Sequence, residues 1–503
     1  MMNGKTSEAL EKQPTAPSKD RGKPWRQIMA ALVANLGTVT TGLVFGFSAV
    51  AIPQLRAADS AIQIDEAQSS WIASLSSAST PIGCILSGYL MDYIGRKKTL
   101  LITQVPACIG WILIASANSV GLIYAGRLFV GLGSGMVGAP ARVYTSEVTQ
   151  PHLRGMLSAL ASVSISFGVL FQYTLGSITT WKILSIISAC LPVLAFVLMI
   201  LMPETPNYLI GKNKQVKAEK SMTKLRDSKY NISPEITQLV DFNAKLHPPR
   251  DPEKTDEKPD KQQLLKALMS PSALKPFAIL FTYFLMYQFS GVNTITFYAV
   301  DIFQASGTNL DKNMCTILLG IVRLVFTIVA CISLRRMGRR PLTFISGIGC
   351  GVTMIGLGVY MYYKYLWEQA GEEPKVTWFP VACIFIFQIT CTIGFLVVPW
   401  VMIGELYPQK VRGIMGGLTT CSAHIFVFIV VKTYPFLCDV IDVHGAFMLY
   451  GCISLLGTVF FYFCLPETKG KTLQEIEDYF SGRSDSLKRG SKKEKAQQGK
   501  LLP

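Results

Sequence analysis

Apolar residues in this chain gather into runs of about 20, the length a helix needs to cross the hydrocarbon of a bilayer, with short polar stretches between them. Twelve runs are legible: 27–52, 70–92, 98–117, 121–144, 156–177, 181–202, 275–302, 313–334, 341–363, 377–403, 413–437 and 444–465. The pattern predicts an all-α integral membrane protein of two six-helix bundles, 27–202 and 275–465. A tail at 1–26, a linker at 203–274 and a second tail at 466–503 complete it. Within the linker, Lys217-Ala-Glu-Lys220 and Glu235-Ile-Thr-Gln-Leu-Val240 read as short amphipathic helices ahead of a flexible Lys/Pro-rich stretch, 245–262. The segment after Ser481 reads as disordered.

With half of its 503 residues apolar and 16% charged, the chain has too little charge for a soluble protein of this size. The net charge of +16 is distributed by side. Arg96-Lys97-Lys98, Arg154, the Lys-rich linker, Arg335-Arg336, Arg339-Arg340, Lys410, Arg412 and the Lys-rich second tail lie at alternate ends of the spans. The opposite loops are neutral or acidic: Asp59/Asp65/Glu66, Glu368/Glu372/Glu373 and Asp439/Asp442. Positive loops stay in the cytoplasm, which puts both tails and the linker there and argues against nucleic acid as a partner. Residues 1–26, with Pro14, Pro17, Lys19, Arg21, Lys23 and Arg26, are too polar for a cleavable signal, so the first span is its own insertion signal. Most of the twelve cysteines sit inside apolar runs without metal-ligand spacing and read as small buried hydrophobes. Asn231-Ile-Ser233 is a glycosylation triplet that this topology leaves unused.

Three polar motifs occur twice, in the same order, each where an apolar run ends. Gly88-Tyr-Leu-Met-Asp-Tyr-Ile-Gly-Arg-Lys-Lys98 is echoed by Leu334-Arg-Arg-Met-Gly-Arg-Arg340. Tyr144-Thr-Ser-Glu147 with Arg154-Gly155 is echoed by Gly404-Glu-Leu-Tyr407 with Arg412-Gly413, and Pro203-Glu-Thr205 by Pro466-Glu-Thr468. Two homologous bundles in one chain are the layout of an alternating-access transporter. Asp92, Arg96, Glu147, Arg154, Arg339, Arg340, Glu405 and Arg412 are then candidates for a charge network that forms in one conformation and so biases a two-state equilibrium. Charge that merely sets topology is the alternative for any one of them.

These motifs resemble the sugar porter family of the major facilitator superfamily, together with Gly126-Arg127, Pro203-Glu-Thr-Pro206-Asn-Tyr-Leu209, Gln288-Phe-Ser-Gly-Val-Asn293, Pro399-Trp400 and Pro466-Glu-Thr-Lys-Gly470. The resemblance covers about 25–480. Pro466-Glu-Thr-Lys-Gly-Lys-Thr-Leu473, Glu475-Ile-Glu477 and His444-Gly-Ala-Phe447 are closest in kind to the arthropod trehalose and hexose facilitators of that family. It implies a sugar carrier of the plasma membrane, with a small-molecule sugar and the lipid bilayer as partners, no cofactor, no metal and no catalysed step.

The resemblance places Gln288 and Asn293 in the sugar pocket. Their amides both donate and accept, as sugar hydroxyls require, although helix-to-helix bonding is another use for such groups. Five residues apart, they face one cavity only if the helix breaks between them, and Ser290-Gly291 is the expected breaker. Trp400 offers a ring for the sugar to stack on, and Phe297 and Tyr298 resemble the gate that closes over it from outside. The small-residue stripe Gly131-Leu-Gly-Ser-Gly135 to Gly138 reads as helix packing.

Departures from the family pattern bear on the solute. Ser162 stands where glucose facilitators have a glutamine, Tyr287 where they have the first of two glutamines, Arg323 where they have an asparagine, and Ala423-His424 where they have asparagine–tryptophan. Arg335 replaces an acid, and the run Gly394-Phe-Leu-Val-Val398 has lost most of the usual glycines and prolines. Arg323, mid-span and without an acid at its depth, either meets a polar or anionic solute, with His424 near it, or bonds to backbone carbonyls. The first span has no acid, with Ser48 in the place where proton-driven relatives carry one, which favours facilitated diffusion. A carrier of another polar or anionic solute, a proton-coupled symporter and a non-transporting nutrient sensor are the rival readings.

Overall fold

Each apolar run folds as helix, and the polar ends decide where each helix stops. The computed structural model describes residues 23–157, 159–227, 230–246, 261–408 and 411–483. The basic residues up to Arg21, Lys410, the Lys/Pro-rich stretch through 260 and the second tail beyond 483 lie outside the described residues. The first four spans are Pro24–Arg56, Glu66–Ile94, Arg96–Ala115 and Val120–Val148, and the sixth is Trp181–Leu201. Asp65 starts the second span with a capping box, its carboxylate taking the Gln68 N–H while Gln68 answers the Asp65 N–H. The sixth span buries Leu184, Ser185, Ser188, Pro192, Ala195 and Met199 at helical spacing. Its other face exposes Ile183, Ile186, Val193, Leu194 and Val197, as a helix against lipid does.

The fifth and tenth spans are broken where the sequence predicted unbroken helices, the seventh breaks as expected, and the eleventh and twelfth are joined. The fifth, expected unbroken over 156–177, is a short helix Pro151–Leu157 followed by Leu160–Gly176. His152 and Arg154 make the first piece too polar to join an apolar run. The seventh is Pro271–Gln288, Val292–Phe297 and Ala299–Ala305. The tenth is Phe379–Ile393 and Val398–Leu406. Gly394 leaves the helical region there (φ −123°, ψ −70°), and the Ser346 hydroxyl accepts the Phe395 N–H at 2.9 Å that the broken helix would leave unpaired. The eleventh and twelfth run together as Arg412–Cys464, turned at Asp442 (φ 57°, ψ 168°). Its 53 residues span about 80 Å at about 1.5 Å each, more than twice the hydrocarbon thickness, and so make two crossings. The eighth and ninth are Lys312–Met337 and Arg339–Gln369.

Spans one to six pack on one another, as do seven to twelve. The two sets meet along the second and eleventh spans, the fifth and eighth, and the first and seventh. The fourth-span stripe packs as expected: a Cβ on Gly131 or Gly135 would lie 2.1 Å from the carbonyls of Ser76 or Thr80 in the second span.

The linker helices Pro206–Gly211, Gln215–Arg226 and Ser233–Leu246 cover one end of the first bundle. Arg226 fixes them there, donating to the Val148 carbonyl at 2.7 Å and to Glu235 at 3.0 Å. A further helix, Lys261–Leu268, leads into the seventh span. Leu473–Phe480 covers the matching end of the second bundle through buried Ile476 and Phe480. This end is the linker side below, and its opposite the far side.

Candidate functional site

Gly291 sits at φ 91°, a left-handed conformation that a side chain would strain, and a Cβ there would press on Met354 and Tyr450 at 3.0 Å. The seventh span therefore breaks at the predicted place. The break brings Gln288 and Asn293 together, the Asn293 amide donating to the Gln288 carbonyl oxygen. Both are buried. Trp400, in the first turn after the tenth-span break, packs edge-on to Phe284 (4.9 Å between ring centres), one helical turn before Gln288. His424 lies 5.9 Å from the Trp400 ring and donates its Nδ1–H to the Thr420 carbonyl at 2.9 Å, which leaves Nε2 free of that bond.

The other pocket candidates are differently placed. Tyr287 is buried against Phe284 and Phe395. Ser162 is half-buried in the fifth span, where Ser166, one turn on, makes the inter-bundle bond to Thr327 at 2.9 Å. Arg323 is buried and donates to the Thr296 hydroxyl at 2.9 Å, while its Nε has no partner among the described residues. The backbone-carbonyl arrangement expected for a structural arginine occurs instead at Arg127, which donates to the carbonyls of Val44, Ile72 and Ala73 and to the hydroxyls of Ser48 and Ser76.

Of the gate candidates, Phe297 lies where the bundles touch and Tyr298 bonds within the second bundle. Phe297 is fully buried 5.6 Å from Phe45 of the first span, and Tyr298 donates to the Val431 carbonyl at 3.1 Å. Other contacts close the far side: Lys432 donates to Ser70 at 2.6 Å and lies 4.0 Å over the Trp71 ring, and Arg56 meets Asp301 at 3.7 Å. Toward the linker side the surfaces are free. Tyr89 and Tyr93 are exposed, and a Cβ on Gly88, Gly138, Gly404 or Gly417 would meet nothing within 4 Å.

The duplicated charges form two matched clusters rather than one network. Arg96 pairs with Glu147 at 3.0 Å, and Arg339 pairs with Glu405 through two bonds, Nε to Oε2 at 3.1 Å being one. Arg340 instead donates to the Tyr462 carbonyl at 2.6 Å, and Arg412 to the Tyr407 carbonyl at 3.0 Å. Arg154 is exposed, and Asp92 lines a cleft of about 410 Å³ with Arg96, Glu147 and Tyr208.

Two sets of residues escaped the sequence reading. Glu204 accepts the backbone N–H groups of Arg96 and Lys97 at 3.1 and 3.0 Å, and Glu467 those of Arg339 and Arg340 at 3.0 Å. Each carboxylate thus caps the positive end of a span that follows a glycine at φ 99° or 97°. Their place in the repeated Pro-Glu-Thr motif was the available signal. Arg142, one of two arginines within the fourth apolar run, carried the same signal as Arg323. Its guanidinium lies 5.4 Å over the Trp400 ring.

Residues 30–480 match the family described as "Sugar (and other) transporter". A facilitated trehalose transporter, Tret1, of Bombyx mori is 34% identical over 468 residues, covering 93% of this chain and 89% of its own. The Tret1 of Aedes aegypti is 32% identical over 460 residues, 91% of this chain, and is longer, so that the match spans 56% of it. The fold matches the proton:xylose symporter XylE bound to 6-bromo-6-deoxy-D-glucose, with a TM-score of 0.71, 21% identity and coverage of 91% of this chain and 99% of that one.

Proposed function

Because the chain belongs to the sugar transporter family, we propose that it carries a sugar of the trehalose or hexose class across the plasma membrane. It works by facilitated diffusion, the bundles 27–202 and 275–465 rocking about a site between them. The observation that carries this reading is the broken seventh span, which sets Gln288 and Asn293 side by side within a helical turn of the Phe284–Trp400 contact. In this position each amide can exchange its partner for a sugar hydroxyl at little cost, since one good hydrogen bond replaces another. Trp400 supplies the apolar face, and Phe297 and Tyr298 close the far side over the solute. With basic loops marking the cytoplasm, the linker side is the inner side and the conformation described is shut to the outside.

Facilitated diffusion is favoured over proton coupling by the surroundings of Ser48. Its hydroxyl accepts from Arg127 at 2.8 Å, and the other acceptors of that arginine among the described residues are carbonyls of Val44, Ile72 and Ala73 and the Ser76 hydroxyl, none of them a proton carrier. Uptake of labelled trehalose and glucose into proteoliposomes tests the assignment. Asn293→Ala is expected to lower the rate at least tenfold while the protein stays monodisperse; equal rates for the variant and the unaltered chain would remove Asn293 from the pocket.

A further inference from the structure

Arg142 is a charge inside a membrane span with no acid paired to it among the described residues. It lies six residues before the end of the fourth span at Val148, about 9 Å along the helix. Its side chain is exposed, yet it reaches the Trp400 ring of the opposite bundle at 5.4 Å. A side chain that is exposed and also touches the other bundle faces the gap between them, not lipid. Gly138, one turn earlier on the same face, borders open space as well. Among the described residues Arg142 has neither a carboxylate nor a hydrogen-bond acceptor. Every acid of the spanning helices lies within about one turn of a helix end or at the 439–442 corner. Arg323, buried with an unpartnered Nε, adds a second uncompensated cation in the second bundle.

The cost of holding such cations in a membrane makes an intramembrane charge a functional group by default, and a cavity-facing one awaits a counter-ion. A ring face offsets part of that cost for Arg142, but it gives the donors of the guanidinium fork no acceptor. Resting on the proposed reading of this cavity as a sugar site, we infer that the preferred solute is an anionic sugar, one that carries a carboxylate. Its carboxylate pairs with Arg142, in the two-pronged geometry guanidinium favours. Its ring lies by Trp400, and its hydroxyls take the amides of Gln288 and Asn293. His424, 5.9 Å from the same ring, borders the anionic end. For a neutral sugar, by contrast, Arg142 occupies ring surface that stacking would use.

Initial uptake of labelled D-glucuronate and D-glucose by proteoliposomes containing the full chain tests this. The unaltered protein is expected to move glucuronate faster than glucose, and an inside-positive potential is expected to speed glucuronate alone, because carrier-mediated passage of a monoanion moves charge. Arg142→Gln is expected to lower the ratio of glucuronate to glucose uptake at least tenfold, with Arg142→Lys between the two. Glucose uptake without glucuronate uptake, or an unchanged ratio in Arg142→Gln, would overturn the inference and leave sugar transport standing. Uptake of none of glucuronate, glucose and labelled trehalose by correctly folded protein would overturn both.

Discussion

Arg96 and Glu147 pair at 3.0 Å within the first bundle, and Arg339 and Glu405 repeat the pairing within the second. The repeated motifs thus tie helices together within each bundle at its linker end, as the proposed rocking of two bundles requires. Both pairs are partly shielded from water, with side-chain exposures of 12–23%. A cycle of Arg96→Gln, Glu147→Gln and the double variant is expected to show a coupling of about 1–2 kcal/mol in stability and a several-fold fall in uptake for each single change. Additive effects would show that the pair does nothing for the bundle.

Glu204 and Glu467 hold the amide ends of the third and ninth spans. Loss of a capping side chain costs about 1 kcal/mol, up to about 2. Thermal melting of the detergent-solubilised protein is expected to drop for Glu204→Ala and for Glu467→Ala, and the two drops are expected to add because the caps lie in separate bundles. Gly95→Ala is expected to be worse than either. It combines a φ of 99° with a Cβ 2.5 Å from the Glu204 carboxylate.

Lys432 ties the eleventh span to Ser70 and Trp71 on the far side. A latch made in only one conformation shifts the population toward it. Lys432→Met is expected to raise hydrogen exchange in residues 66–75 and the fraction of molecules open to the far side. Unchanged exchange would assign Lys432 a packing role.

Uptake at a fixed sugar gradient is expected to persist when a protonophore collapses the pH gradient, because Arg127 and Ser48 stand where a proton carrier would be needed. Collapse of uptake would assign coupling to another group.

Much of this architecture can be read from the sequence because the bilayer imposes it. Apolar length sets the number of crossings, and basic ends set their direction. The break at Ser290-Gly291 was legible because Gln288 and Asn293 could share a cavity in no other way. The tenth-span break was not, since Gly394 is one glycine in an apolar run and the Phe395 N–H it frees is accepted by Ser346 from another span. The caps formed by Glu204 and Glu467 were hidden for the same reason: each acts on a helix more than a hundred residues away in sequence. Arg323 stands out in the sequence as a mid-span charge, whereas Arg142, near the basic linker side, blends with topogenic charge. Only its contact with Trp400 separates the two meanings.

Counterflow tests the central claim most directly. Proteoliposomes loaded with unlabelled hexose or trehalose and diluted into tracer, with no ion or pH gradient, are expected to accumulate label transiently above the outside concentration, as a carrier that returns loaded must. Entry no faster than into protein-free vesicles, or entry only when a pH gradient is imposed, would contradict an alternating-access sugar facilitator.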